Sequence, residues 1–455
     1  MTVCAPKVTL RQEMRAFLGL AIPLALAQVA QASTGLVDTV MMGWLGAATL
    51  ASGGLASMTF FALLATAMGG VAGVSPLVSE ALGAGRPKAV GILIRQGLWL
   101  TLLIALPTSL VLSRSELFLS HLGQAPTTVA LAKQYLDVLA WGFAPGLGFA
   151  VLRGAMASLA DTGPVMAIVL GATLFNILGN YVLGFGHWGF PRLELTGLAL
   201  ASLMAQWGMF LSLALYMAGR PAFQPYRIFR ELHRLDLPKL GALVNLGIPT
   251  GLSSALEIGL FLVVSYLMGV LGVAVLAAHQ IVFQSLFVIF MVPLGMSFAA
   301  TARVGFWLGQ GDLSAARQAG RVAIGLGVGF MTVAAILLLA FPRALVGFFL
   351  DLSHPESQEV LRLALPILVV AALSQVLDGA QKTASGALLG LKDTRIPVLL
   401  SFVAFWGIGL ASGVALGFPL QLQGTGLWLG QSLGVAVSAG LFVWRFHHLT
   451  GPGLP

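Results

Sequence analysis

Three carboxylates in this sequence stand where charge is expensive. Asp38, Glu257 and Asp378 each fall inside a run of apolar residues long enough to cross a lipid bilayer. An ionised carboxylate at the bilayer centre costs at least about 2.5 kcal/mol, so such a residue usually faces a cavity and takes a cation, a proton or a charged partner. Most other acids fall in loops or at helix ends, among them Glu80, Glu116, Asp161, Glu194, Glu231, Asp312, Glu356 and Asp393. Each of the three also has a plainer reading. Asp38 is followed by Gly43 and Gly46 and fits a headgroup position; Asp378 is one turn before Lys382 and fits an internal ion pair. Glu257 has no basic residue near it in sequence, so its plain reading is weakest.

Amides share the apolar runs with these acids: Gln28, Gln31, Asn176, Asn180, Gln206, Gln280, Gln284, Gln375 and Gln381. Interhelical hydrogen bonding is the ordinary use of such groups. Asn176 and Asn180 stand out, because a four-residue spacing puts both on one helical face, where together they can orient a carboxylate. Aromatic residues available for cation–π or stacking contacts with a ligand are Phe60, Phe61, Trp141, Phe175, Tyr181, Phe261 and Phe287. Motifs of soluble enzymes fail on context. Gly184 to Gly189 satisfies a dinucleotide pattern but follows an apolar run and opens no strand–helix unit. His447 and His448 have no third ligand nearby, His279 has no evident partner, and the single cysteine, Cys4, excludes an intrachain disulfide.

The elements that must position these groups follow from composition. The 455 residues are 58% hydrophobic, enough for roughly twelve spans of about 22 residues. Charged residues are only 9%, against about 25% in a soluble domain, which excludes a water-soluble enzyme. The net charge of +8 comes without a basic block interleaved with aromatics, so nucleic acid is not an expected partner. Apolar runs cover about 16–40, 49–73, 91–112, 133–158, 164–185 and 195–218, then about 241–266, 275–300, 319–341, 359–389, 396–417 and 424–446.

The two sets of six repeat. A shift of 226 positions aligns Ile22-Pro23 with Ile248-Pro249, Met42-Gly43 with Met268-Gly269 and Gly85 with Gly311, with 13 identities in the 32 residues from Leu20 to Ala51. Slightly larger shifts pair Asp161-Thr162 with Asp393-Thr394 and Thr196-Gly197 with Thr425-Gly426. The reading is an all-α integral membrane protein of twelve transmembrane helices in two six-helix repeats related by a pseudo-twofold axis along the membrane normal. The expected organisation is an N-terminal lobe at 1–218, a basic linker at 219–240 and a C-terminal lobe at 241–455, with ligand between the lobes. Taking the N-terminus, the even-to-odd loops and the C-terminus, with the span ends next to them, as one side, 19 of the 24 Lys and Arg residues count to it, which places both termini in the cytoplasm by the positive-inside rule. Arg227, Arg230 and Arg234 suit the linker to anionic lipid headgroups.

The residues Gln28-Val29-Ala30-Gln31 and Gly35 through Gly43 resemble the first helix of the multidrug and toxic compound extrusion (MATE) family, in its bacterial NorM-like branch. Further similar positions are Ile248-Pro249 to Glu257, Pro293 with Arg303-Val304-Gly305, Gln375 with Asp378, and Lys392-Asp393-Thr394, so the resemblance covers nearly the whole chain. It implies a monomeric, alternating-access antiporter of the bacterial inner membrane, without cofactor, that exchanges cationic or amphipathic drugs for H+ or Na+. It implies cation binding at Glu257, Asp378 and Asp38, with sodium a candidate at the first two, and substrate binding at Asp38, Asn176, Asn180, Gln280, Gln31 and Tyr181. Relatives with a second acid on the fifth span depart from this sequence, which has Gly184 there. A lipid-linked precursor flippase and a membrane-embedded hydrolase are the alternatives. The first needs several basic residues in its cavity, where Lys382 is the sole clear candidate, and the second needs a nucleophile–base pair inside the spans.

Overall fold

The computed structural model describes residues 9–121, 126–349 and 355–451; Cys4 lies outside them. The described residues form helices and no strand: α1 (Leu10–Leu45), α2 (Ala47–Val71), α3 (Val74–Gly83), α4 (Pro87–Ser113), α5 (Ser115–His121), α6 (Pro126–Leu139), α7 (Phe143–Ser158), α8 (Gly163–Gly179) and α9 (Glu194–Gly219), followed by α10 (Leu237–Leu271), α11 (Val273–Gly309), α12 (Leu313–Ala340), α13 (Pro342–Phe349), α14 (Pro355–Gly390), α15 (Arg395–Ser401), α16 (Ala411–Gly417) and α17 (Gln423–Leu449). Among the described residues twelve helical stretches are long and apolar enough to cross a membrane, as the apolar runs require. Helices are the form such runs must take, because lipid offers no partner to an unpaired backbone group. Two spans carry π-helical turns that the sequence pattern does not signal. One, Asn180–Gly184, continues α8, and the other, Phe402–Leu410, joins α15 to α16.

The internal repeat is written into the backbone as well as the side chains. Gly46 and Gly272, 226 positions apart, have φ of 129° and 131° where the first span of each repeat turns into the second. Only glycine adopts that conformation without strain. Gly85 and Gly311 repeat a left-handed turn with φ of 66° and 76°. The loop aspartates repeat too. Tyr216 Oη donates to Asp161 Oδ2 at 2.9 Å, and Arg445 Nε donates to Asp393 Oδ2 at 2.6 Å, so the sixth span of each repeat is tied to the loop after the fourth.

The chain divides into two compact units: Leu26–Gly251, and Met1–Ala25 with Leu252–Pro455. These boundaries do not coincide with the lobes read from the repeat. Each falls inside a helix, two residues after a proline, at Pro23 in α1 and Pro249 in α10. Proline removes a backbone donor and weakens the helix at that point, which lets the two halves of one helix belong to different units.

In the unit Leu26–Gly251, the first half of α10 meets α2 without side chains in the way. A methyl on Gly247 would sit 1.8 Å from the carbonyl oxygen of Gly70, and one on Gly69 would sit 2.6 Å from the Cα of Gly251. The linker before α10 is clasped by α4: Arg95 donates to the carbonyl of Arg230, Gln96 to that of Arg234 at 3.0 Å, and Trp99 to that of Leu232 at 2.8 Å. In the other unit α14 packs on α11, α12 and α17. Its core includes Met268, Ala278, Val282, Leu368, Ala371 and Trp428. Glu13 of α1, 1% exposed, accepts from Arg303 Nε of α11 at 2.8 Å and from Trp307 Nε1 at 3.2 Å.

The tightest helix crossing in this unit gives a direct stability test. A methyl on Gly430 of α17 would lie 2.1 Å from the Cα of Gly413 of α16, a backbone atom that cannot step aside. Gly430→Ala is expected to lower the thermal unfolding midpoint of the detergent-purified protein, with overpacking of about 1–3 kcal/mol. A midpoint equal to that of the parent would show that the crossing is looser than described.

Candidate functional site

Two carboxylate clusters, one in each unit, occupy the spans. The first is built on α1, α8 and α9. Asp38 lies seven residues from the end of α1, about 10 Å along the helix axis, which removes it from the helix terminus. Its Oδ1 accepts from Asn180 Nδ2 at 2.6 Å and its Oδ2 from Ser202 Oγ at 3.2 Å. Asn180 Nδ2 also reaches Asn176 Oδ1 at 3.2 Å, and Asn176 Nδ2 donates to Ser202 Oγ at 2.9 Å, which closes a ring of four side chains. Both asparagines are fully buried. Asn180 begins the π turn, where one extra residue shifts the side chains that follow relative to an α-helix. Asn180 Oδ1 is buried and has no hydrogen-bond partner, so the ring keeps one acceptor in reserve beside a carboxylate.

Two hydroxyl residues join this cluster that the sequence reading did not select. Ser202 is one of many small polar residues in the spans, and only its contact with Asp38 distinguishes it. Tyr135, 2% exposed, accepts from Ser57 at 3.2 Å and is close enough to Asp38 to feel its charge. Deeper along the same unit, Arg153 of α7 donates to Gln28 of α1 at 2.5 Å and is 6% exposed. Lys382 is therefore not the only basic side chain enclosed by the spans.

The second cluster is built on α10 and α14. Lys382 Nζ donates to Glu257 Oε2 at 2.7 Å, with the side chains 17% and 21% exposed. The lysine thus crosses to Glu257, although Asp378 is one turn before it on its own helix. Asp378 is part-buried and within electrostatic range of both. The ammonium also sits over the ring of Phe290, 5.3 Å from its centre. Trp406, in the second π turn, donates from Nε1 to the carbonyl of Leu256 at 3.1 Å, and its ring packs where Gly259 has no side chain. That contact steadies α10 on either side of Glu257.

The remaining candidates stand apart. Gln31 is part-buried on α1 and Gln280 is exposed on α11; among the described residues no hydrogen bond ties either to a cluster. Tyr181, 43% exposed, stacks on His187 with ring centres 4.0 Å apart. By the 226-residue shift Gln31 occupies the position of Glu257 in the first repeat, so the two repeats carry an amide and an acid at equivalent places.

Each repeat contributes one stretch to a match with the family model MatE, over residues 23–182 and 249–414. The chain belongs to the MatE family. Among curated relatives, the probable multidrug resistance protein NorM of a Synechocystis species is 50% identical over 446 residues, covering 98% of this chain and 97% of that protein. A protein of the same name from a Synechococcus species is 52% identical over 442 residues, covering 97% and 95%. Among solved structures, a mutant of the Vibrio cholerae MATE transporter VcmN superposes with a TM-score of 0.88 at 18% identity, covering 97% of each chain, which shows a shared fold. MatE proteins are membrane transporters, and this MatE chain is a transporter and not an enzyme.

A Ser–His contact in the spans agrees with that conclusion. Trp428 Nε1 donates to His279 Nδ1 at 3.1 Å, so the histidine proton must be on Nε2, which faces Ser265 Oγ at 2.8 Å. A histidine that donates to a serine hydroxyl cannot take that hydroxyl's proton as a base. In this MatE chain the triad ties α10, α11 and α17 together. Gly184 closes the first π turn against Leu198, whose Cδ1 would lie 3.1 Å from an added methyl, so a methyl at that position would require the Leu198 side chain to shift by a few tenths of an ångström.

Proposed function

We propose that this transporter exports cationic and amphipathic drugs from a bacterial cytoplasm by alternating access, in exchange for H+ or Na+. The observation that carries the reading is the pair of enclosed carboxylate clusters, one per compact unit, in a chain half identical to a probable multidrug resistance protein. Asp38, with Asn176, Asn180 and Ser202, receives the drug or its counter-ion; Glu257 and Asp378 bind the coupling cation. Gln31, Gln280 and Tyr181 are secondary substrate contacts. Competition is sufficient for coupling: if cation and drug each lower the other's affinity, occupancy by one releases the other. The protein acts as a monomer in the inner membrane, with membrane lipids as its surroundings and no cofactor or nucleic acid.

The flippase reading is weaker. Arg153 and Lys382 are both already engaged, with Gln28 and Glu257 respectively. Expression in a bacterium stripped of its own drug exporters tests the proposal: resistance to ethidium and similar cations should rise several-fold. Sensitivity equal to the empty-vector strain, with the protein present in the membrane, would contradict it.

The orientation has its own test. With Cys4 replaced by serine, single cysteines at Trp188 and Arg230 should react oppositely with an impermeant thiol reagent added to intact cells. Trp188, 76% exposed after the fifth span, should label directly, and Arg230 only after permeabilisation. Equal labelling of the two positions would rule out cytoplasmic termini with this number of spans.

A further inference from the structure

We propose that Lys382 sets the ion selectivity of this transporter: its tethered ammonium occupies the place on Glu257 that a sodium ion would take, so the site works with protons and not with sodium. The inference rests on the reading of Glu257 and Asp378 as the coupling site. Sodium needs a shell of several oxygen ligands around one carboxylate. Here Glu257 Oε2 already accepts from Nζ at 2.7 Å, and the ammonium is held from a second side by the face of Phe290. A second monovalent cation on the same carboxylate would lie within a few ångströms of a fixed positive charge, in surroundings that screen it poorly. A proton has no such requirement. It needs one carboxylate oxygen, and Asp378 offers that one helical turn away while the Lys382–Glu257 pair stays in place.

The charge count sets the number of cations the cluster takes rather than their kind. Glu257, Asp378 and Lys382 together carry one net negative charge when all are ionised, and one proton brings the cluster to neutrality. The other charges on the described residues of the packed helices are engaged or distant along the chain: on α14 itself Glu359 and Arg362 lie in the first two turns, 16 residues or more before Asp378, and Arg343 is at the start of α13. On α11, Arg303 is bound to Glu13, and His279 is bonded to Ser265 and Trp428. On α12, Arg317 and Arg321 are confined to the first turns. On α17, Arg445 is bound to Asp393, with His447 and His448 in the last turn. On α10, Lys239 is in the first turn, 18 residues before Glu257.

The test uses the full chain in proteoliposomes, with tetraphenylphosphonium as transported probe and either a pH gradient or a sodium gradient imposed alone. The parent should respond to the pH gradient and not to sodium, and purified parent should bind no radioactive sodium. Lys382→Met, which keeps the unbranched stem but for its last atom and removes the charge, should acquire sodium-stimulated transport of at least ten-fold; Lys382→Arg should stay indifferent to sodium. If Lys382→Met is not made, Lys382→Gln takes its place, and sodium binding to the parent decides the matter without any variant. Sodium-driven transport or sodium binding by the parent, with Glu257→Gln inactive, overturns this inference alone. Full coupling in both Glu257→Gln and Asp378→Asn overturns the coupling-site reading and this inference with it. A pH-driven Lys382→Met protein with no sodium response also overturns it.

Discussion

Cells that depend on the Glu257→Gln variant are expected to lose drug resistance, with cation-driven efflux reduced at least 100-fold and protein levels unchanged. The substitution keeps the volume and one acceptor oxygen but removes the charge that holds Lys382. Breaking an enclosed ion pair by deleting one partner is usually costly, because the other charge is left without compensation. Here Asp378 is at the (i, i+4) position on α14 and can take the ammonium, so the helix pair survives while the coupling site is spent on an internal contact. Asp378→Asn should give the same transport defect by the opposite route. The Lys382–Glu257 pair remains, and the carboxylate that exchanges its proton is gone. Resistance at the parent's level in either variant, measured by the minimum inhibitory concentration of ethidium, would remove these residues from the coupling site.

Asp38→Asn is expected to reduce transport by about ten-fold or more without loss of folded protein. Its two oxygens accept from Asn180 and Ser202, and an amide can offer only one acceptor in return for a donor that Ser202 must turn to receive. Hydrogen bonds to a carboxylate are about twice as strong as neutral ones, so the ring loosens even when every contact is remade. Folding should tolerate this, because Asn176 still bridges Asn180 and Ser202. A binding titration of the drug against purified parent and variant separates the roles. Lower affinity in the variant assigns Asp38 to drug or counter-ion, and unchanged affinity with unchanged transport makes the ring structural.

The spans were legible because their chemistry is one-dimensional: an apolar run of sufficient length must be helical wherever it ends up. The repeat was legible for the same reason, and Gly46 with Gly272 shows that the matched letters mark matched backbone conformations. Asn176 and Asn180 could be paired from spacing alone, since both are on one helix. What could not be read was register between helices. Lys382 has an acid four residues earlier on its own helix and another 125 residues away, and only packing decides that it takes Glu257. Ser202 has no local signal that separates it from other serines in the spans, and Glu13 meets Arg303 across 290 positions. The π turns escape for a related reason: one inserted residue in a helix with apolar residues around most of its circumference leaves no trace in periodicity.

The central claim is that a cation gradient acting through enclosed carboxylates moves an organic cation across the membrane. Reconstituted protein in sealed vesicles tests it directly, with tetraphenylphosphonium outside and an outward-directed proton or sodium gradient imposed, each in turn, at zero membrane potential. The account predicts accumulation above the external concentration under at least one gradient, collapse of that accumulation when the gradient is dissipated, and none in the Glu257→Gln, Asp378→Asn double variant. Equilibration to the external concentration that is the same with and without either gradient, or gradient-driven accumulation that persists in the double variant, would contradict it.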